Sequence, residues 1–279
     1  MAAQELHQND FQIDLLNRRA WLGAAAGFAL WGFSGVARGE LRIASRIDEV
    51  PEKHPLIPVL RNAAEALKLL DEVRDYTAIL TKTEILGRKT LTSKLELKFR
   101  EKPSSVYVKF LDPHAGRQVI YNDGKNGNLL QVKDVGLASL VGTLNIDPKG
   151  KAALEESRYP LTLIGLRIMA ETVIEELLAE TKIDGATVNI YPDAKLGDQP
   201  ALVMETSYGH QTPQTKFALR RLYIEKKSGL LVKVQNYDFP KKKDKDKPVL
   251  VEDYHYTDIA TNAGLKDVDF DTRNAKYGF

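Results

Sequence analysis

Lys94-Leu95-Glu96-Leu97-Lys98-Phe99 alternates charged and apolar side chains at every step. A period of two puts Leu95, Leu97 and Phe99 on one side of an extended chain and the charges on the other, so the stretch reads as a half-buried strand of an antiparallel sheet. The same period holds upstream, where Tyr76, Ala78 and Leu80 alternate with Thr77, Ile79 and Thr81. Downstream, Val106 to Phe110, Gln118 to Tyr121 and Asn128 to Val132 continue the series. Pro103, Asp112-Pro113 and Asn122-Asp123-Gly124 separate these segments, and each is a turn signal.

Farther along the chain, 186–191, 201–207, 217–225, 230–237 and 249–257 read as five more strands, with Ser228-Gly229 as a tight hairpin turn and 241–248 as an exposed tip. Two helical stripes break the pattern. Leu56, Leu60, Ala63, Leu67 and Leu70 form the first, starting at Pro55; Leu163, Leu166, Ala170, Val173 and Leu177 form the second, ended near Asp184-Gly185. Residues 134–161 read as a loop-rich insertion marked by Gly136, Gly142, Pro148 and Pro160. Strand and helix do not alternate through the chain, which argues against a doubly wound parallel sheet. The expected class is α+β: one large curled antiparallel sheet of about ten strands, covered by two or more helices. Leu95, Leu97 and Phe99 should then face the same interior as Leu60, Leu67, Val173 and Leu177.

The 279 residues, 43% hydrophobic and 28% charged, suffice for a real core. There is no cysteine, which excludes disulfides, thiolate metal sites, a cysteine nucleophile and a lipidated N-terminal cysteine. A formal charge of +2 gives no field of the kind nucleic-acid binders carry. Ala20 to Ala37 carries no charge, follows Arg18-Arg19 and ends in Gly35-Val36-Ala37, so 1–37 is expected to be a signal peptide cleaved after Ala37. The pair Arg18-Arg19 followed by Trp21-Leu22 fits a twin-arginine route, and the same residues fit the basic end of a general secretory signal. The periplasm or the exterior is the expected location. Residues 38–53 read as a flexible lead-in, and 54–279 as a single domain.

Five phrases stand out as a set: His54-Pro55-Leu56; Val73-Arg74-Asp75-Tyr76-Thr77; Pro103-Ser104-Ser105-Val106-Tyr107; Gly116-Arg117-Gln118-Val119-Ile120-Tyr121; and Arg158-Tyr159-Pro160-Leu161-Thr162. Together they resemble the exported bacterial family classed as domain of unknown function 1571. The C-terminal meander, with Ile224 to Leu230 and later Tyr254, Asn262 and Phe270, is similar in element order to the periplasmic lipoprotein-localisation carriers LolA and LolB. This second resemblance implies a half-open antiparallel β-barrel covered by helices, with an apolar cavity for acyl chains. By analogy it implies a non-enzymatic binding protein that holds a lipid, a lipoprotein acyl chain or another apolar ligand under a helical lid.

The chain lacks the GxSxG, HExxH, Walker A and GxGxxG patterns. Gly124-Lys125-Asn126-Gly127 has the form of a GxxG nucleic-acid loop but lies between strands, where it reads as a turn. Asp253 and His255 share one side of a strand and are candidates for an acid/base or metal pair, though no third partner is in view and a solvent-facing pair is the plainer reading. His114 and Arg117 share a turn able to present both to an anion, with a purely structural turn as the plainer reading; the rival reading of an envelope hydrolase or metal-dependent enzyme uses either the Asp253 and His255 pair or this loop. No metal site and no cofactor is expected. Arg117, Arg158 and Tyr159, beside turns, are the expected polar rim of a ligand site, with loop closure by hydrogen bonds as the plain alternative; Ala170 and Val173 are expected to face the ligand. The run 241–247 carries five lysines and two aspartates, which reads as a solvated tip and makes an anionic membrane surface a candidate partner. A protein-binding scaffold using strand edges is the third class.

Overall fold

The computed structural model describes residues 43–241 and 247–279. The expected signal peptide and the middle of the lysine-rich tip lie outside the described residues. Among the described residues eleven strands form one antiparallel sheet in the order β6-β5-β4-β3-β2-β1-β11-β10-β9-β8-β7. The first meander comprises β1 (Asp75–Leu86), β2 (Lys89–Arg100), β3 (Ser105–Asp112), β4 (Gln118–Asn122), β5 (Leu130–Lys133) and β6 (Thr143–Ile146). The second comprises β7 (Ala186–Leu196), β8 (Gln199–Tyr208), β9 (Leu219–Glu225), β10 (Leu231–Asp238) and β11 (Val249–Thr261). The meanders join at the centre, where β1 pairs with β11.

Helix α1 (Ile57–Lys68) precedes the first meander, and α2 (Leu166–Glu180) carries the chain from one edge of the sheet to the other. Both pack on the same side, here called the inner face. Leu60, Leu67, Val173 and Leu177 meet Leu95, Leu97 and Phe99 in a single buried cluster, as the two periods require. Pro58 sits in the first turn of α1, where a missing N–H costs nothing.

Gly165 begins α2 with φ of 133°, and a Cβ there would stand 3.1 Å from the Phe99 ring, so glycine is what lets the helix approach the sheet. Two sheet tyrosines serve the helix start: Leu166 N–H donates to the Tyr76 hydroxyl at 2.9 Å, and Gly165 N–H to the Tyr256 hydroxyl at 3.1 Å. These satisfy backbone donors that a helix start otherwise leaves open.

The outer face of β2 to β4 is covered by the C-terminal segment. Tyr277 stacks on Tyr107 with centroids 4.2 Å apart, Lys98 pairs with Asp269 at 2.7 Å, and the Asn122 amide donates to the Phe270 carbonyl at 2.9 Å.

Three details differ from the sequence reading. The insertion at 134–161 contains an edge strand, β6, too short for its alternation to register. Leu163 is not part of the α2 stripe; it lies in the turn before Gly165 and is 50% exposed. The expected lead-in is helical over 43–48, where Ile43 and Ile47 join the core.

Candidate functional site

The inner-facing positions of β1 are apolar through Leu80 and then become Lys82 and Glu84. Register carries this change across the sheet. Glu84 pairs with Glu252 on β11, Glu252 with Asn236 on β10, Asn236 with Arg220 on β9, and Arg220 with Thr206 on β8. The five form one transverse row, and each is buried.

A strap at 155–163, leading into α2, closes over the β1 end of the row. The Arg158 guanidinium lies 2.9 Å from the Glu252 carboxylate and donates to the Ile85 carbonyl, while Arg158 N–H donates to Glu84 at 3.2 Å. The Tyr159 hydroxyl donates to Glu252 at 2.7 Å, and the Tyr254 hydroxyl to Glu84 at 2.6 Å. Lys82 donates to Glu84 and to Ser157 Oγ, both at 2.8 Å. At the other end Arg220 reaches α2, with Glu176 at 2.6 Å and Glu180 at 3.3 Å. Lys216 also holds Glu176 at 2.6 Å, and the Tyr208 hydroxyl donates to Glu180 at 3.2 Å.

Lys82, Arg158, Lys216 and Arg220 thus balance Glu84, Glu176, Glu180 and Glu252. Buried charge persists only when paired and hydrogen-bonded in this way. Burial pushes the Tyr159 and Tyr254 hydroxyls well above the ordinary tyrosine range, with Glu252 adding to both, so they act as neutral donors. Burial raises the Glu180 carboxyl too, against the pull of Arg220. The arrangement is a clamp: carboxylates on the sheet and on α2 are occupied by donors on the sheet, the strap and the segment before β9, so that sheet, strap and α2 are joined.

Arg117 extends the clamp outward. It grips Asp134 with two hydrogen bonds of 2.9 and 3.0 Å and reaches Glu156 on the strap at 2.7 Å, where His114 also stands at 3.3 Å. Arg117, Arg158 and Tyr159 therefore converge on one strap. Ala170 and Val173 lie elsewhere, on the face of α2 packed against the core, 0% and 3% exposed.

Asp253 and His255 point to the outer face, and Asp253 is taken up by Lys233 at 3.1 Å and Gln235 at 2.8 Å. Burial, and then Lys233, lowers the His255 pKa. Among the described residues no group of three or more histidines, cysteines or carboxylates is placed to hold a metal. Gly124 to Gly127 lies in the connection from β4 to β5. Two surface hollows, of about 540 Å³ beside Asn128 and Lys149 and about 430 Å³ beside Arg74 and Asn262, are lined by none of the charged row.

Glu84, Glu180, Glu252, Asn236 and Arg220 were not anticipated from sequence. Their signal is one of phase: Glu84 falls in step with Tyr76, Ala78 and Leu80, and Arg220 in step with Leu222 and Ile224.

Comparison with solved structures finds similar chains at low identity. The lipoprotein LppX of Mycobacterium tuberculosis is 11% identical over 75% of this chain and 97% of its own, with a TM-score of 0.44. A putative outer membrane lipoprotein-sorting protein domain from Vibrio parahaemolyticus is 15% identical over 75% and 97%, with a TM-score of 0.34. A LolA superfamily protein from Nitrosomonas europaea is 12% identical over 75% and 97%, with a TM-score of 0.30. No curated protein matches significantly. The family model described as "Protein of unknown function (DUF1571)" matches residues 73–279, most of the chain and all eleven strands, and the protein belongs to that family.

Proposed function

We propose that this protein is an exported binding protein of the cell envelope that holds an apolar group, such as an acyl chain, between the inner sheet face and the two helices. One observation carries the reading. The inner face from β1 to β5 is a continuous apolar surface, including Leu80, Leu97, Phe99, Val108, Val119 and Val132, while the strap that leads into its cover is fastened by polar contacts at the margin. An apolar surface under a cover held by ionic and hydrogen-bonded contacts suits a partner that is itself apolar.

The described state is closed. Leu60, Ala63, Leu67, Ala170, Ile174 and Leu177 are at most 2% exposed, so a ligand enters only by displacing the helices. In this reading Arg158 and Tyr159 are the part of the rim that must let go, Arg117 anchors the strap from outside, and Ala170 and Val173 meet the ligand once α2 moves. Export follows from Arg18-Arg19 and the uncharged segment behind them.

The filled interior favours a second reading, a scaffold that binds another protein without opening. Titration of delipidated protein with a fluorescent acyl probe decides between the two. Saturable binding, displaced by fatty acids more strongly as the chain lengthens, at about 0.8 kcal/mol per methylene, supports the carrier. Absence of saturable binding leaves the scaffold.

A further inference from the structure

The connection from β5 to β6 presents a different surface. From Val135 to Ile146 the sequence carries no charge, and a 3-10 helix, Gly136–Val141, stands at its centre. Leu137 is 87% exposed, Leu140 82% and Val141 70%. Leu137 and Leu140 are three apart, the spacing that aligns side chains on one side of a 3-10 helix.

The loop is held in shape. Asp134 at its base is gripped by Arg117 and accepts from Val135 N–H at 2.8 Å, Lys133 donates to the Ser139 carbonyl at 3.1 Å, and Ser139 Oγ donates to the Gly136 carbonyl at 2.7 Å. Three large apolar side chains are thus offered to solvent on a fixed base. Water gives no reason to keep them there.

We infer that the turn at Leu137, Leu140 and Val141 inserts into the surface of an anionic lipid bilayer. Two observations choose lipid over protein. The side chains project from a single turn, a shape that enters the acyl boundary of a bilayer directly but needs a matching pocket on a protein. The same end of the sheet is also rich in exposed cations. The β1–β2, β3–β4, β5–β6 and β10–β11 connections all leave the meander there, bringing Arg88, Lys89 and Lys247 to the end that bears the loop. Asp134 and Glu156 share the single Arg117 guanidinium, and Asp112 and Glu155 are exposed. Cations borne on the same end of the sheet as an apolar turn match phosphate headgroups above acyl chains.

The inference does not depend on what the interior holds, and vesicle binding tests it apart from acyl-probe titration. The full chain is sedimented with vesicles of phosphatidylcholine mixed with phosphatidylglycerol, and with phosphatidylcholine alone. The triple variant Leu137→Ser/Leu140→Ser/Val141→Ser should lose roughly tenfold or more in partition to the mixed vesicles, with its melting temperature unchanged. Arg88→Ser/Lys89→Ser should weaken binding to the mixed vesicles only. The segment Ala20 to Ala37 is common to every variant, so the differences report on the loop. Equal partition of wild type and triple variant overturns the inference. So does a concentration-dependent dimer that the triple variant abolishes, which would assign the loop to a second copy of the chain.

Discussion

The inner face of the sheet is buried in two unlike ways. Around Leu97, Val108 and Phe99 it is apolar, and the helices lie on it through Leu60, Ala63, Ile174 and Leu177. Around Glu84, Glu252 and Arg220 it is equally closed to water yet made of charge. The apolar region gains from area alone, and contacts of that kind slide and repack without a large change in free energy. The charged region gains only while each carboxylate keeps its donors, so it fixes the strap and α2 at one position and loses its gain if either moves. One region supplies the affinity of sheet for cover; the other sets where the cover sits and what its release involves.

Single truncations should hurt in both regions, by amounts of similar size. Phe99→Ala removes a ring stacked on Tyr76 at 5.3 Å and packed against Gly165, and should cost about 3–5 kcal/mol in denaturant unfolding. Arg220→Ala strips Glu176 and Glu180 of their guanidinium and should also cost about 3–5 kcal/mol. A loss under about 1 kcal/mol for Phe99→Ala would mean that the ring is not in the core. The regions should part company under paired replacement. Arg220→Met with Glu180→Leu should recover most of what Arg220→Ala loses, to within about 1 kcal/mol of wild type, since apolar residues of similar volume replace buried ion pairs at little cost. If the pair remains as damaged as the single variant, the charged row contributes to stability in its own right and the contrast fails.

A smaller effect separates strap from sheet. Tyr159→Phe removes one donor from Glu252, which keeps Arg158 and Asn236, so unfolding should lose only about 1 kcal/mol. In the carrier reading the same variant should take up the acyl probe faster than wild type, because the strap lets go more readily. A slower or unchanged uptake rate would show that the strap is not what opens.

How much of this division was legible depends on how long each pattern runs. β1 and β2 are twelve residues long, and the inner face over 76–80 and 95–99 follows from phase alone. β6 did not, because Thr143-Leu144-Asn145-Ile146 offers two apolar residues between Gly142 and Pro148, too few for a period. Spacing places Leu163 in the α2 stripe, and only the positive φ of Gly165 shows that the helix cannot reach back that far. The charged row was half legible. Glu84 and Arg220 break the apolar phase of their own strands, but the strap residues that hold Glu84 and Glu252 come from a distant part of the chain, and pairing at that range is set by tertiary register. The phrase beside a turn points to Arg158 and Tyr159 but carries no sign of the carboxylates they meet.

The least effect, and the sharpest measure of how dry the charged row is, lies in the pH dependence of Glu180. Burial, opposed by Arg220 and assisted by Glu176, raises its carboxyl above the ordinary value of 4.5. The folded chain then binds this proton more tightly than the unfolded chain. Between 4.5 and the raised value the folded state takes up the proton first, so the stability owed to Glu180 is greatest at the acid end of that window and falls as pH rises through it. Glutamine has no proton to bind. On lowering the pH from neutral to about 5, wild type should therefore gain stability relative to Glu180→Gln, read as a widening gap between their denaturant midpoints. His255, whose pKa is lowered by burial and by Lys233, works the other way over the same range, but it is present in both proteins and cancels in the difference. A gap that stays constant or narrows would mean that Glu180 titrates as it does in water. The row would then be solvated in solution, and its likeness in burial to the apolar half of the sheet would be lost.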